Sequence, residues 1–221
     1  MNKWLGLVLI IAGLAIGLFS LSEWYTAKSS AQNLTNAEIE SFKKVEAAAG
    51  SETGKVKEES GKKKPQPQPM PEPTPILTSG IDRQLGEQTA KLIIPKIEQK
   101  YSVYWGADPA TLKKGVGMYI SDLTTVPGGH GHTVLSGHRD TVFVKLGELE
   151  KQDQVLLEYE DKIYVYEITD MWITDAEDRS VIVEKDESVL TLTTCYPFDF
   201  IGYAPDRYIV QAKLVSTQDP F

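Results

Sequence analysis

Between Lys91 and Val215 the chain is cut into short apolar runs, most with the two-residue period of a strand, and this leaves few architectures open. "KLIIPKI" (Lys91 to Ile97) is an apolar run with a proline inside, which suits an edge strand. "HTVLSGH" (His132 to His138) reads as a strand after the Pro127-Gly128-Gly129 turn. "QVLLEYEDKIYVYEITDMWI" reads as a hairpin turning at Glu160-Asp161-Lys162, and "VLTLTTC" and "RYIVQAKLV" add two more strands. Helix is scarce. In "ADPATLKKGVG", Asp108 is a natural N-cap and Pro109 suits the first helical position, so one short helix follows. "TVFVKLGELEK" reads as a helical turn. Short strands at close spacing with few helices predict a mostly β fold, a small barrel or sandwich.

The chain ahead of this region is of another kind. Trp4 to Leu21 is a run of 18 uncharged residues, near the lower limit for crossing a bilayer. It exceeds the usual core of a cleaved signal peptide, and "LFSLSEWYTAKSSAQ" offers no clean small-x-small site. Residues 1–24 are therefore expected to form an uncleaved, single-pass anchor. Lys3 precedes the run and Glu23 follows it, which places the amino terminus in the cytoplasm and the rest outside. Residues 25–84 read as an extracytoplasmic linker in which "NLTNAEIESFKKVEAAA" can form one exposed helix. Its later part, "GKKKPQPQPMPEPTP", holds six of the chain's 12 prolines, at 65–75, and reads as a semi-rigid polyproline spacer. At ~3.1 Å per residue such a spacer reaches roughly 45 Å. The folded unit is then 85–221, long enough for one hydrophobic core. From Ile81 to Phe221 there are 14 Lys and Arg against 23 Asp and Glu, a balance of −9, which argues against nucleic acid or anionic lipid as partners.

Within this unit Cys195 is the chain's one cysteine, and it stands where an apolar run stops. A lone thiol is either inert filler or a reactive group. His138 likewise ends an apolar run, so the two strand ends can face each other across the mouth of a barrel. A histidine beside a cysteine allows a thiolate–imidazolium pair, which makes the sulfur nucleophilic. Acyl transfer also needs a donor for the oxyanion, and Arg207 opens the next strand 12 residues on. Arg139 adjoins His138, so on an extended strand its side chain is expected on the opposite face. Arg179, in "DAEDRSVI", reads as a solvated ion-pairing residue. His130, His132 and His138 fall within nine residues and raise the possibility of zinc, but no acidic ligand lies in the usual place. His130 and His132 read instead as solvent-facing loop residues.

The residues "SGH" ending at His138, "TLTTC" ending at Cys195 and "APDRYIV" with Arg207 resemble the sortases, cysteine transpeptidases of Gram-positive bacteria. "LIIPKI", "LKKGVGMY", "PGG" and "HTVLSGH" follow the same order, and the resemblance spans about Lys91 to Val215. Within the family it is similar to class D. The resemblance implies an eight-stranded sortase-type β-barrel with short helices, held outside the cell by the membrane anchor at 4–21. It implies Cys195 as nucleophile, His138 as acid/base and Arg207 as transition-state stabiliser, with Thr193, Thr194 and Tyr196 beside them as substrate-binding residues. The substrate implied is an LPxT-type sorting signal cut after the threonine. The acyl chain then passes to an amine of a cell-wall precursor, attaching surface proteins to peptidoglycan. Some relatives bind calcium through acids in the loop before the histidine strand. Here "SDLTTVPGGHGH" carries Asp122 alone, so no cofactor or metal is expected.

Two alternatives stay open at this level: an extracytoplasmic cysteine peptidase with water as acceptor, and a non-catalytic anchored scaffold in which Cys195 is filler. An L,D-type transpeptidase places its histidine close before the cysteine, whereas His138 stands 57 residues away.

Overall fold

The computed structural model describes residues 3–42, 75–128, 130–199 and 202–220. Helix α1 (Lys3–Ser29) leads into strand β1 (Ala31–Asn33) and a helical stretch, α2, over 36–42. Eight further strands follow: β2 (Gln88–Ile94), β3 (Gln99–Trp105), β4 (Val116–Met118), β5 (Gly131–Ser136), β6 (Gln154–Tyr159), β7 (Lys162–Asp175), β8 (Ser188–Tyr196) and β9 (Asp206–Gln218). These eight form the barrel, in the order β3-β2-β6-β7-β9-β8-β5-β4, and a parallel β3–β4 pairing closes it. The β5–β8 pairing is also parallel. Closure leaves every barrel strand paired on both sides, which removes the open edges that invite aggregation.

The expected hairpin is present, β6 turning at Glu160 and Asp161 into β7. The expected helix is α3 (Pro109–Leu112), with the Asp108 carboxylate accepting from the backbone N–H of Ala110 and Thr111 at 3.0 and 3.1 Å. The edge-strand reading of "KLIIPKI" does not hold. β2 pairs with both β3 and β6, and Pro95 lies just beyond it in a 3-10 turn, where its missing N–H breaks no ladder.

Alternation decides what fills the barrel. Leu92 and Ile94, Tyr101, Val103 and Trp105, Leu190 and Leu192, and Val210 all turn inward. Each such large side chain contributes about 1.5–3 kcal/mol by leaving water. A second, smaller cluster lies apart from that core, where Leu34 and Phe42 cover Ile93, Leu156, Ile163 and Val165. This corrects the reading of residues 25–84 as a plain linker. Residues 31–33 pair with Gln99–Tyr101 of β3, and α2 packs on the barrel rather than lying exposed. A capping box starts α2. Thr35 N–H donates to Glu38 at 2.8 Å, and Glu38 N–H returns to the Thr35 hydroxyl at 3.4 Å. Lys100 donates to the other Glu38 oxygen at 2.7 Å, and with Thr35 it holds that carboxyl at a pKa of about 2. Residues 76–78 also join the barrel, since Leu77 bridges Thr125 and Thr78 N–H donates to Thr124 at 2.9 Å. The Pro-rich tract lies outside the described residues except for Pro75. Because β1 follows α1 after one residue and is already on the barrel, that tract does not separate α1 from the barrel.

Apolar side chains stand exposed along α1, among them Leu9, Ile10, Leu14, Ile16 and Leu18. Counting the described residues alone, no helix is long and apolar enough to cross a membrane.

Candidate active site

The site is built on the outer face of β5, β8 and β9. On β8 the side-chain period of two turns Thr193 and Cys195 outward and Leu192 into the core. Antiparallel register sets Arg207 of β9 directly opposite Cys195, and Ile209 opposite Thr193. On the other side of β8, parallel pairing sets Ser136 of β5 beside Thr193. The ladder then runs one residue past β5, with Gly137 N–H donating to Thr193 O at 3.1 Å. Thr194 is buried, and its hydroxyl donates to Gly137 O at 2.7 Å. These two bonds grip Gly137 on both its polar groups and deliver the next residue, His138, to the rim beside Cys195. Glycine is required there, because a Cβ would meet Val142 and Phe143 side chains at 2.7 Å.

His138, Cys195 and Arg207, the three expected catalytic residues, thus line one groove of about 410 Å³, together with Thr193 and Thr194. Cys195 is a free, half-buried thiol. Arg207 is half-buried, its Nη1 donating to Ala204 O at 3.2 Å and Asp206 O at 3.0 Å. Those contacts aim the guanidinium while leaving the rest of its fork for a ligand. The wall facing this floor is the loop between β7 and β8, which contributes Val181 and Ile182.

Three expected placements change. Tyr196 does not line the groove. Its ring stacks on Tyr208 at 6.3 Å and meets Phe198 edge-on at 5.8 Å, because it is one residue past Cys195 and turns to the other side. His132 is not a solvent-facing loop residue but lies within β5 and is fully buried. Its Nδ1 lies 2.8 Å from Val183 O and its Nε2 2.7 Å from the Thr191 hydroxyl. Arg139 follows the end of β5, so strand alternation no longer governs it, and it is buried. It donates to Pro197 O at 2.6 Å and to Gly202 O at 2.8 Å. No local signal marks these roles, since the partners lie 51 to 63 residues away in sequence. Arg179 is exposed, as expected. His130 sits apart, with Nδ1 2.7 Å from Asp186 O, and among the described residues no group of three or more His, Cys, Asp or Glu could hold a metal.

A closed barrel that sets thiol, imidazole and guanidinium at neighbouring strand ends around one groove defines a cysteine acyl-transfer enzyme. The chain belongs to the sortase family, whose Sortase domain model matches residues 92–215. It is a cysteine transpeptidase of that family. It is 37% identical to Sortase D of Bacillus subtilis (strain 168) over 220 residues, 98% of this chain and all of the relative. Among solved structures it is similar to the catalytic domain of B. anthracis SrtD, at 60% identity and TM-score 0.56, over 65% of this chain and 98% of that one. The Clostridium perfringens Sortase D5 transpeptidase aligns at 28% identity and TM-score 0.54, over 61% of this chain and 83% of that one.

Proposed function

We propose that this enzyme cleaves an LPxT-type sorting signal after the threonine and transfers the acyl chain to an amine of a cell-wall precursor. The observation that carries the reading is the cross-strand pairing of Cys195 with Arg207 beside a His138 held by Gly137. Cys195 as thiolate attacks the threonine carbonyl, and the electron pair displaced onto oxygen is met by the Arg207 guanidinium. His138 as imidazolium gives its proton to the departing amine as the C–N bond breaks, leaving a thioester on Cys195. The incoming amine loses a proton to His138, attacks the thioester and expels the thiolate, which restores the starting charges. Thr193, on the groove floor between these groups, is proposed to meet the peptide. Calcium has no assigned part, because Asp122 is the one acid in the loop before β5.

We further propose that α1 anchors the enzyme in the membrane with the barrel outside. The count over described residues falls short of a span. The reading rests instead on the unbroken run of 18 uncharged residues, Trp4 to Leu21. As helix this covers about 27 Å, close to the hydrocarbon thickness.

The test is to incubate the protein with a panel of LPxT-type peptides and an amine, reading products by mass. Amide-exchanged product supports transpeptidation, and a free acid alone in the presence of amine would make the enzyme a peptidase. Cys195→Ala should abolish cleavage and the thioester mass adduct while leaving the fold intact, since thiol to methyl costs little packing.

A further inference from the structure

The outer face of the sheet carries two rows at the site and a third beneath them. Cys195 and Arg207 form the reacting row, and Thr193 and Ile209 form the floor. The next row pairs Thr191 with Gln211. Here the strand face, rather than meeting solvent, lies under the β7–β8 loop, and His132 is fully buried against it. We propose that His132 is a positioning residue, whose ring ties the β7–β8 loop to the sheet and so sets the wall against which the substrate peptide is held.

The hydrogen bonding fixes one of the two ring positions. Val183 O can only accept, so Nδ1 carries the proton and donates to it. In the neutral ring Nε2 accepts from the Thr191 hydroxyl, whose oxygen accepts in turn from Gln211 Nε2 at 3.3 Å. Burial favours this neutral ring and lowers its pKa. The chain Gln211, Thr191, His132, Val183 thus runs from β9 through β8 and β5 into the loop. It ends one residue beyond Val181 and Ile182, the loop side chains that face Cys195 across the groove. His132 is not among the residues that line the groove. Its effect reaches the reaction through where the loop stands.

This inference rests on the sorting-signal reading above, so one arm of the test does not depend on turnover. In the full-length protein in detergent micelles, His132→Phe fills the space without either bond, and His132→Gln keeps the reach to Thr191 but loses the loop. His132→Asn keeps a donor on the atom bonded to Cγ, where Nδ1 stood. Expected for Phe and Gln is a KM for an LPxT-type peptide raised about five- to tenfold, the size of one neutral hydrogen bond. The kcat and the alkylation rate of Cys195 should stay within about twofold, well inside one lost bond. Amides of 181–185 should exchange faster in Phe and Gln, and Asn should restore both readouts. Unchanged exchange and KM in the Phe variant, or an Asn variant as impaired as Phe, would overturn the proposal. A wild-type protein that cleaves no LPxT-type peptide, yet shows the exchange pattern, would instead remove the substrate reading alone.

Discussion

The loops on the two sides of the site are held down by different chemistry. The β7–β8 loop (176–187) faces the groove with Val181 and Ile182, and next to those residues it is tied to the sheet by a histidine donating one bond to Val183 O. Other ties lie toward its ends, where Asp178 accepts from Thr174 of β7 and from Ser180, and Ala176 N–H donates to Pro205 O at 3.0 Å. Gly131 N–H donates to Glu187 O at 3.2 Å, and Lys213 pairs with Glu187 at 2.9 Å. The β8–β9 loop (197–205) joins Cys195 to Arg207 and is gripped by the buried Arg139 guanidinium through two backbone carbonyls. Tyr196, Phe198 and Tyr208 flank its two ends as a packed aromatic trio. Charge-assisted bonds are roughly twice as strong as neutral ones, so Pro197 and Gly202 are held more strongly than Val183. The stronger hold lies between Cys195 and Arg207, and the weaker one lies beside the groove wall at Val181 and Ile182. Both holding residues come from one stretch, "GHTVLSGHR", with His138 between them.

The largest effect that tests this division falls on Arg207. Removing one oxyanion donor costs about 10²–10³ in kcat, so Arg207→Ala should lose that much, and Arg207→Lys, without the fork, should remain strongly impaired. Steady-state turnover checks it. An Arg207→Ala enzyme with near-normal kcat beside a dead Arg139→Ala would move the oxyanion role to Arg139.

Next comes Arg139 itself. Bonds from a charged donor are worth about 1.5–3 kcal/mol each. Arg139→Ala should therefore lower unfolding stability by at least ~2 kcal/mol and reduce kcat, while the His132 variants raise KM. Arg139→Lys keeps the charge but reaches one carbonyl, and should fall between. Chemical denaturation and the kcat–KM split together check this, and a KM effect from Arg139 would erase the contrast between the two loops.

The two holds should also respond differently to acid. The His132 pKa is lowered by burial, with Lys185 of the loop adding to that shift, while β8 and β9 present the uncharged Thr191 and Gln211. A protonated ring would keep its Nδ1 donor to Val183 O but lose the Nε2 acceptor for Thr191 and bury a charge near Lys185. The seat of the ring is therefore complete above the ordinary imidazole value and is lost as pH falls through the lowered one. Exchange of the 181–185 amides should rise over that acid range. Exchange of the amides flanking Pro197 and of the Gly202 amide should not, because a guanidinium rather than an imidazole bonds to those carbonyls. Parallel loosening of both loops would mean that acid acts on the barrel as a whole.

The smallest effect belongs away from both loops. Glu38→Gln weakens the Lys100 pair beneath α2, a partly exposed contact worth under about 1 kcal/mol. Turnover should be unchanged, and α2 amides should exchange slightly faster. Altered kcat would tie the N-terminal segment to the site.

What the sequence determined by itself is whatever repeats or caps within a few residues. The alternation in "VLTLTTC" and "RYIVQAKLV" requires strands, Asp108-Pro109 starts α3, and Glu160-Asp161 turns the β6–β7 hairpin. The three residues of the groove were legible too, because each stands at the end of a strand inside a recognisable motif. Tertiary structure alone decided that β2 is an interior strand and that residues 31–42 cover Ile93 and Leu156. The turn of Tyr196 away from the groove follows from the two-residue period of β8, whereas tertiary structure alone made His132 and Arg139 the holds of two loops. In each case the deciding partner lies on another strand or loop, far along the chain. A buried imidazole and a solvated one are the same letter until barrel closure supplies the carbonyl and hydroxyl that satisfy it.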